Sequence, residues 1–416
     1  MITLTYKYKL KPTKQQAEQI DHDLEVCRRV WNYALRERKD WMASRKCPVN
    51  ACFLRGEYII PADAPYPSFK VQCQRLTDAK RVNPDLASVN AQALQQVLRR
   101  LDQAFERRQK LGAGFPRFKQ AGRMRSFSFP QLGKAPLRNE AVKLPGLGWT
   151  SIRQSRPYPE GFMAKQARVV KRASGYYLMI SFQADITIPE PPLVGHIVGV
   201  DVGLEYFLST SDGLQLGRPK FFVDLQRKLK LLQRRLKRKQ IGSANWKKTQ
   251  GKVARLHEQI ANTRKDFHFK AAHQLCDGAD VIVVENLNLI GLSRGMLGKH
   301  MLDASHGQFL NSVLPWVGFK RGKAVVKESA RGTSQECPAC GEAVNKTLAT
   351  RWHECPCGCS MPRDIASGLV LRNRFIGRGA HGLENAPGEV LAGGVLHSSQ
   401  DSVNGESLAI REALAG

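Results

Sequence analysis

Hydrophobic and polar positions change period several times along this chain, and each change marks an element. Residues 2–10 alternate strictly, with Ile2, Leu4, Tyr6, Tyr8 and Leu10 on one face, which predicts a half-buried strand. After Pro12 the spacing becomes helical. Thr13 sits as N-cap with Gln16 at the capping-box position, and Ile20, Leu24, Cys27 and Trp31 follow on one side. A second amphipathic helix carries Leu94, Val97, Leu98, Leu101 and Phe105, with Arg99, Arg100, Arg107 and Arg108 on or near its outer side. Residues 46–70, rich in Pro, Gly and small side chains, read as a loop.

Alternation then returns. Phe127 and Phe129 alternate with serines, and the runs 169–172 and 177–182 flank a Ser174-Gly175 turn, the pattern of a hairpin. This block predicts a small β-barrel or sheet with basic edges, which the N-terminal strand is expected to join, making the helices between them an insertion. The stiff run Ile188-Pro189-Glu190-Pro191-Pro192 marks a domain boundary. Beyond it the pattern is α/β. Strand 196–201 and segment 205–210 form a hairpin, Asp212-Gly213 makes a second turn, and 221–275 is a long helical hairpin broken at Gly242-Ser243. A strand at 280–285, a helix near 305–321 kinked or split at Pro315, a strand at 323–327 and a helix at 365–375 complete it. The boundaries are 1–10 with 112–190 for the β domain, 11–111 for the helical insertion, 193–332 with 360–377 for the α/β domain, and 333–359 for a cysteine segment. Residues 378–416, without periodicity, are expected to form a flexible tail.

Three acids interrupt this patterning. Asp201 ends the apolar run 195–200, Glu285 ends Val281-Ile282-Val283-Val284, and Asp364 opens the last apolar helix. A carboxylate at the end of a buried strand is costly unless something cationic neutralises it. Each alone reads equally well as an exposed acid at a strand end. Together, in the order strand, hairpin, strand with acid, helix with acid, they form the skeleton of an RNase H-like fold, where carboxylates hold two Mg²⁺ (or Mn²⁺) ions about 3.5–4 Å apart for phosphodiester cleavage. Gly203, close behind Asp201, serves either a close backbone approach or a turn.

Charge narrows the partner. Lys and Arg total 65 against 36 Asp and Glu, a formal net charge of +29, and such an excess opposes compaction unless a polyanion neutralises it. No acid lies between Asp224 and Glu258, a stretch that contains Arg227, Lys228, Arg234, Arg235, Lys237, Arg238, Lys239, Lys247 and Lys248. A short charge run is usually a solvated helix face, but one unbalanced over two helices favours phosphate binding. No stretch approaches the ~18 apolar residues of a membrane span, and the N-terminus lacks a leader pattern, so the expected location is cytoplasmic and nucleoid-associated in a prokaryote.

Five of the ten cysteines fall between Cys337 and Cys359, which indicates metal ligation rather than a disulfide framework. Cys337-Pro338-Ala339-Cys340-Gly341 is half of a zinc knuckle. The other half, Cys355-Pro356-Cys357-Gly358-Cys359, is irregular: Cys355 pairs with Cys357, whose following glycine copies Cys340-Gly341, or with Cys359. Four thiolates predict a closed structural Zn²⁺ site, with His353 a weak substitute ligand.

Gly114-Phe115-Pro116-Arg117-Phe118-Lys119, Gly199-Val200-Asp201-Val202-Gly203-Leu204, Val284-Glu285-Asn286-Leu287, the Thr333-Ser334-Gln335 lead into Cys337-x-x-Cys340-Gly341, and Arg363-Asp364 together resemble the TnpB/OrfB family over about residues 1–376. That family comprises transposon-encoded, RNA-guided DNA endonucleases related to type V CRISPR effectors. The resemblance implies a RuvC-like nuclease domain with Asp201, Glu285 and Asp364 as metal-binding catalytic triad, a wedge-like N-terminal β-barrel whose helical recognition insertion holds guide RNA and reads a short motif beside target DNA, and a zinc ribbon by the nuclease cleft. In such a site Asp201 would bridge both ions, with one held by each of the other acids. The family's Asp-Arg-Asp-x-Asn-Ala reads here Pro362-Arg363-Asp364-Ile365-Ala366-Ser367. Rival readings are a guide-independent RuvC-like nuclease and a cleavage-deficient RNA-guided repressor; a DDE transposase fits the cysteine segment's position poorly.

Overall fold

A computed structural model describes residues 2–46, 60–61, 63–185, 190–347 and 349–379. Most of the loop expected at 46–70, part of the proline linker and nearly all of the expected tail lie outside these residues. The chain divides into two compact units, Thr3–Asp185 and Ile186 onward.

The first unit is a seven-stranded sheet with helices inserted after its first strand. Strands β1 (Ile2–Lys11), β2 (Ser126–Phe129), β3 (Leu137–Arg138), β4 (Ala141–Leu144), β5 (Gly148–Arg153), β6 (Met163–Arg172) and β7 (Gly175–Ala184) run in the order β2-β6-β7-β1-β5-β4-β3. The chain's first strand thus fills the middle of a sheet made otherwise from residues after 125. Helices α1 (Lys14–Ser44), α2 (Phe69–Val82), α3 (Pro84–Ser88) and α4 (Ala91–Leu111) separate β1 from β2. Thr13 caps α1 through the reciprocal Gln16 box, and the Gln16 amide also donates to the carbonyls of Leu147 and Trp149, each at 3.0 Å, which fixes the helix start on the sheet. Helix α2 leaves little trace in the sequence because it buries only Gln72 and Leu76, too few for a stripe.

The second unit holds a five-stranded sheet, β10-β9-β8-β11-β12, from β8 (Ile197–Asp201), β9 (Tyr206–Thr210), β10 (Gln215–Gly217), β11 (Val281–Asn286) and β12 (Ala324–Ser329). Strands β8, β11 and β12 are parallel, and β9 and β10 antiparallel. The basic hairpin is α5 (Gln226–Lys237) and α6 (Ala244–Gly278), parted at Gly242 (φ +89°) with Ser243 capping α6. Short helices α7 (Leu289–Arg294) and α8 (Gly298–Ala304) follow β11. The helix expected near 305–321 is three pieces: a turn at His306–Gln308, a π-helical turn at Phe309–Val313, and α9 (Leu314–Lys320) with Pro315 in its first turn. Pro315 has no N–H to give, and the wider π turn just before it absorbs the interruption. Helix α10 (Arg363–Gly379) ends the described chain, and β13 (Trp352–Glu354) pairs with β14 (Ser360–Pro362) in the cysteine segment. No described helix is long and apolar enough to cross a membrane.

Both faces of this sheet are covered, so its central strands are apolar throughout. Val198, Val200, Ile282, Val284 and Val325 pack on one face against Ala272, Leu275 and Cys276 of α6 and against Phe309–Val317. Val281, Val283, Ala324 and Val326 pack on the other with Leu371 of α10. Helix α10 crosses β8 at a glycine pair. A methyl group on Gly199 would lie 1.9 Å from the Gly368 carbonyl oxygen and 2.9 Å from the Arg372 nitrogen. The close approach therefore belongs to Gly199 and Gly368. At Gly203 an added Cβ meets only the Tyr206 carbonyl, at 3.2 Å. Gly199→Ala is expected to cost about 3 kcal/mol or more through forced displacement of α10. Thermal unfolding should show it as a drop of roughly 6 °C or more, with Gly203→Ala much milder; equal effects would refute the close contact.

Candidate functional site

Register brings the first two acids together. In the parallel β8–β11 ladder Val281 lies opposite Ile197 and Val283 opposite Gly199. Side chains alternate between faces, so Asp201 and Glu285 continue the same two rows by one further step. They stand on neighbouring strands, at one level, on the face that α10 covers. Asp364 belongs to the first turn of α10, one turn ahead of Gly368, which is seated on Gly199. Strand parity, strand register and the glycine crossing therefore converge three acids that are far apart in the chain.

Their electrostatics record the meeting. Burial pushes the Asp201 carboxyl well above its ordinary range, and the charges of Glu285 and Asp364 push it further, against Arg363. Glu285 is also raised by burial, while hydrogen bonds from Thr333 and Asp201 hold it down in part. Thr333, 4 % exposed, donates from Oγ1 to Glu285 Oε1 at 2.6 Å. Arg363 reaches the neighbouring Asp364 Oδ1 at 3.3 Å and donates to the Thr350 carbonyl at 2.9 Å. Among the described residues, the groups whose ligand atoms all lie within 4.8 Å of one another are made of cysteines and His353; the three carboxylates are spread more widely.

For acids whose folded-state pKa is raised, folding costs nothing while they are protonated in both states. The cost grows as pH climbs from the ordinary values of 3.8 and 4.5 through the raised ones. In divalent-free buffer the wild type is therefore expected to lose stability relative to Asp201→Asn between pH 4 and pH 8. A melting-temperature difference that stays constant with pH would contradict this.

Thr333 and Gly368 are site-building residues that sequence reasoning passed over. The Thr-Ser-Gln lead into the cysteines was visible, but nothing local connects Thr333 with Glu285, 48 positions earlier. The cysteine segment is tied to the same place. Arg374 of α10 pairs with Glu336 and donates to the Ser329 and Arg331 carbonyls at 3.1 and 3.0 Å, while Asn373 donates to the Pro338 carbonyl at 2.8 Å.

Within that segment Cys337, Cys340, Cys355 and Cys357 form one cluster. Cys337 and Cys357 sulfurs are 3.6 Å apart, and those of Cys340 and Cys355 3.5 Å. The edge of a tetrahedron of thiolates about 2.3 Å from a central ion is about 3.8 Å, so this spacing suits a single tetrahedral ion. Cys357, not Cys359, completes the set of four. Desolvation would raise the Cys337 thiol, but amides of Cys340 and Ala339, with the side chains of His353 and Cys340, bring it down to about 5.

The basic residues singled out by sequence lie on α5 and α6 or in the turn between them. Arg227, Lys228, Arg234, Arg235, Lys237, Arg238, Lys247 and Lys248 are exposed and Lys239 half-buried. Leu229, Leu256 and Ile260 bury the hairpin's inner side with Phe221.

The fold and its sites define a multidomain α/β protein with a buried cluster of acids, a thiol-rich ribbon and a cationic helical hairpin. Three family models match the chain: OrfB_IS605, described as a probable transposase, over residues 180–295; the OrfB helix-turn-helix domain over 1–47; and the Cas12f1-like TNB domain over 306–370. The second of these covers, here, one strand and one helix. InsQ of Escherichia coli (strain K12), whose name provisionally assigns RNA-guided DNA endonuclease activity, is 29 % identical over 361 residues, 82 % of this chain and 84 % of that protein. A Streptomyces pristinaespiralis protein of similarly provisional name is 29 % identical over 367 residues, 86 % of each. Among solved structures, a Cas12f1 chain from a complex with sgRNA and target DNA superposes with a TM-score of 0.51 at 14 % identity, covering 87 % of this chain and 84 % of that one. By these matches the chain is similar to the TnpB/OrfB family along most of its length.

Proposed function

We propose that this protein is a DNA endonuclease of RuvC-like, RNase H-like type, directed by a bound guide RNA and dependent on a divalent metal. The observation that carries this reading is the convergence of Asp201, Glu285 and Asp364 on one sheet face, two of them held above their ordinary pKa. The family likeness and the names borne by relatives supply the guide and the DNA target.

The donor set fits the ion. Three carboxylates and no thiol or imidazole favour a hard cation such as Mg²⁺ or Mn²⁺. Asp201, Glu285 and Asp364 would hold such ions, Asp201 being the acid that feels both other charges. Bound there, such ions would activate water and stabilise the leaving 3′-oxygen. The chain's own contribution is to hold the acids aligned: Thr333 orients Glu285, and Arg363 steadies Asp364. The four-thiolate cluster would hold a structural Zn²⁺ that shapes the ribbon beside these acids. The first unit, with its helices inserted into the sheet, would hold guide RNA and read a short DNA motif, leaving sequence to base pairing. The cationic hairpin would track phosphates.

Sequencing RNA that co-purifies with the full-length protein, then supplying a matching plasmid with Mg²⁺, tests the reading. A discrete RNA and guide-dependent cutting are expected. Cutting without bound RNA would make it a guide-independent nuclease; bound RNA and target binding without cutting would make it an RNA-guided repressor.

A further inference from the structure

The fifth cysteine of the ribbon is not used by a four-thiolate site. Cys359, His353 and Cys337 form a second group whose ligand atoms lie within 4.8 Å of one another, and Cys337 belongs to both groups. His353 is 0 % exposed, its side chain bears on the Cys337 thiol, and its Nε2 makes no hydrogen bond of normal geometry. Its Nδ1 meets Lys346 Nζ, which also donates to the Ser334 carbonyl at 3.0 Å. A buried ring nitrogen without a well-formed partner carries a desolvation cost, which a metal bond would remove. The turn that returns the Cys355 amide to the Cys359 carbonyl at 3.0 Å brings the fifth thiol back to the cluster.

We propose that the ribbon holds a second thiophilic metal ion on Cys337, His353 and Cys359, with the Cys337 sulfur shared between the two ions. The inference rests on the reading of the other four thiolates as a zinc site. Charge supports it. Four thiolates around one divalent ion leave a net charge of −2, and a second ion bound with loss of the Cys359 proton lowers this to −1, which Lys346 beside His353 balances. The second ion binds as the Cys359 thiol releases its proton to solvent, and His353 binds through Nε2 as the neutral ring with its proton on Nδ1, so Lys346 Nζ gives up its contact there and keeps the Ser334 carbonyl. With three protein ligands its fourth position is open, so it should be the weaker and more exchangeable of the two.

The test is ¹¹³Cd NMR of full-length protein, with its bound RNA, loaded with ¹¹³Cd²⁺. This separates sulfur-bound from carboxylate-bound ions. Two sulfur-bound resonances are expected, each split by the other through the shared sulfur. Cys359→Ser should leave a single unsplit resonance, and His353→Gln should shift or remove one of the pair. A single resonance in the wild type that survives Cys359→Ser overturns the second site and leaves the four-thiolate site standing. A single resonance lost in Cys359→Ser places the ion on the other group and overturns both readings, as does the lack of any sulfur-bound resonance.

Discussion

Replacing Asp201 with alanine is expected to lower DNA cleavage by on the order of 10³-fold or more, roughly 4 kcal/mol of lost transition-state stabilisation. Bound RNA and target binding should be unchanged. Asp201 is the acid that burial and both other carboxylates disfavour most, so its removal relieves repulsion in metal-free protein. The variant should therefore be at least as heat-stable as wild type without divalent ions. It should also lose the stabilisation that Mg²⁺ confers on the wild type, since an ion that binds only the folded state raises its melting temperature. A folding defect would lower both melting temperatures, whereas loss of a metal ligand removes only the response to Mg²⁺. Cleavage within a few-fold of wild type would take Asp201 out of the site.

The second large effect lies on the helical hairpin. Changing Arg234, Arg235, Lys237 and Arg238 together to glutamine should weaken nucleic-acid binding by about 100-fold near physiological salt. It should also reduce the slope of log K against log salt by about 3, since each lost phosphate contact takes away roughly 0.7–0.9. These side chains are exposed, and the hairpin's packing rests on Leu229, Leu256 and Ile260, so the melting temperature should hold. Equilibrium binding at several salt concentrations reads the slope directly. An unchanged slope would make this surface a solvated helix face and nothing more.

Much of the fold was legible locally. The Thr13–Gln16 box, the Gly175 hairpin turn and the Gly242 break are short-range signals, and each element begins or turns where they stand. Helices α2, α7 and α8 were missed for the converse reason, as they bury almost nothing that would leave a periodic stripe. Exposed Ile290, Met296 and Leu302 on or between α7 and α8 even run against the pattern of an amphipathic helix. The irregular second cysteine pair was ambiguous by spacing alone. It resolves in space because Cys357 closes a four-sulfur group and Cys359 turns toward His353.

Read alone, the chain already determined its periodic elements, its segregated positive charge, its cysteine-rich segment and the three acids placed at element ends, because caps, turns and alternation act over a few residues. Which acids meet was decided only by tertiary structure. Their meeting depends on the offset between β8 and β11, on the glycine crossing of Gly199 and Gly368, and on Thr333 reaching Glu285. Those are contacts between residues tens to more than a hundred positions apart, set by the packing of a two-faced sheet, and no local pattern encodes them.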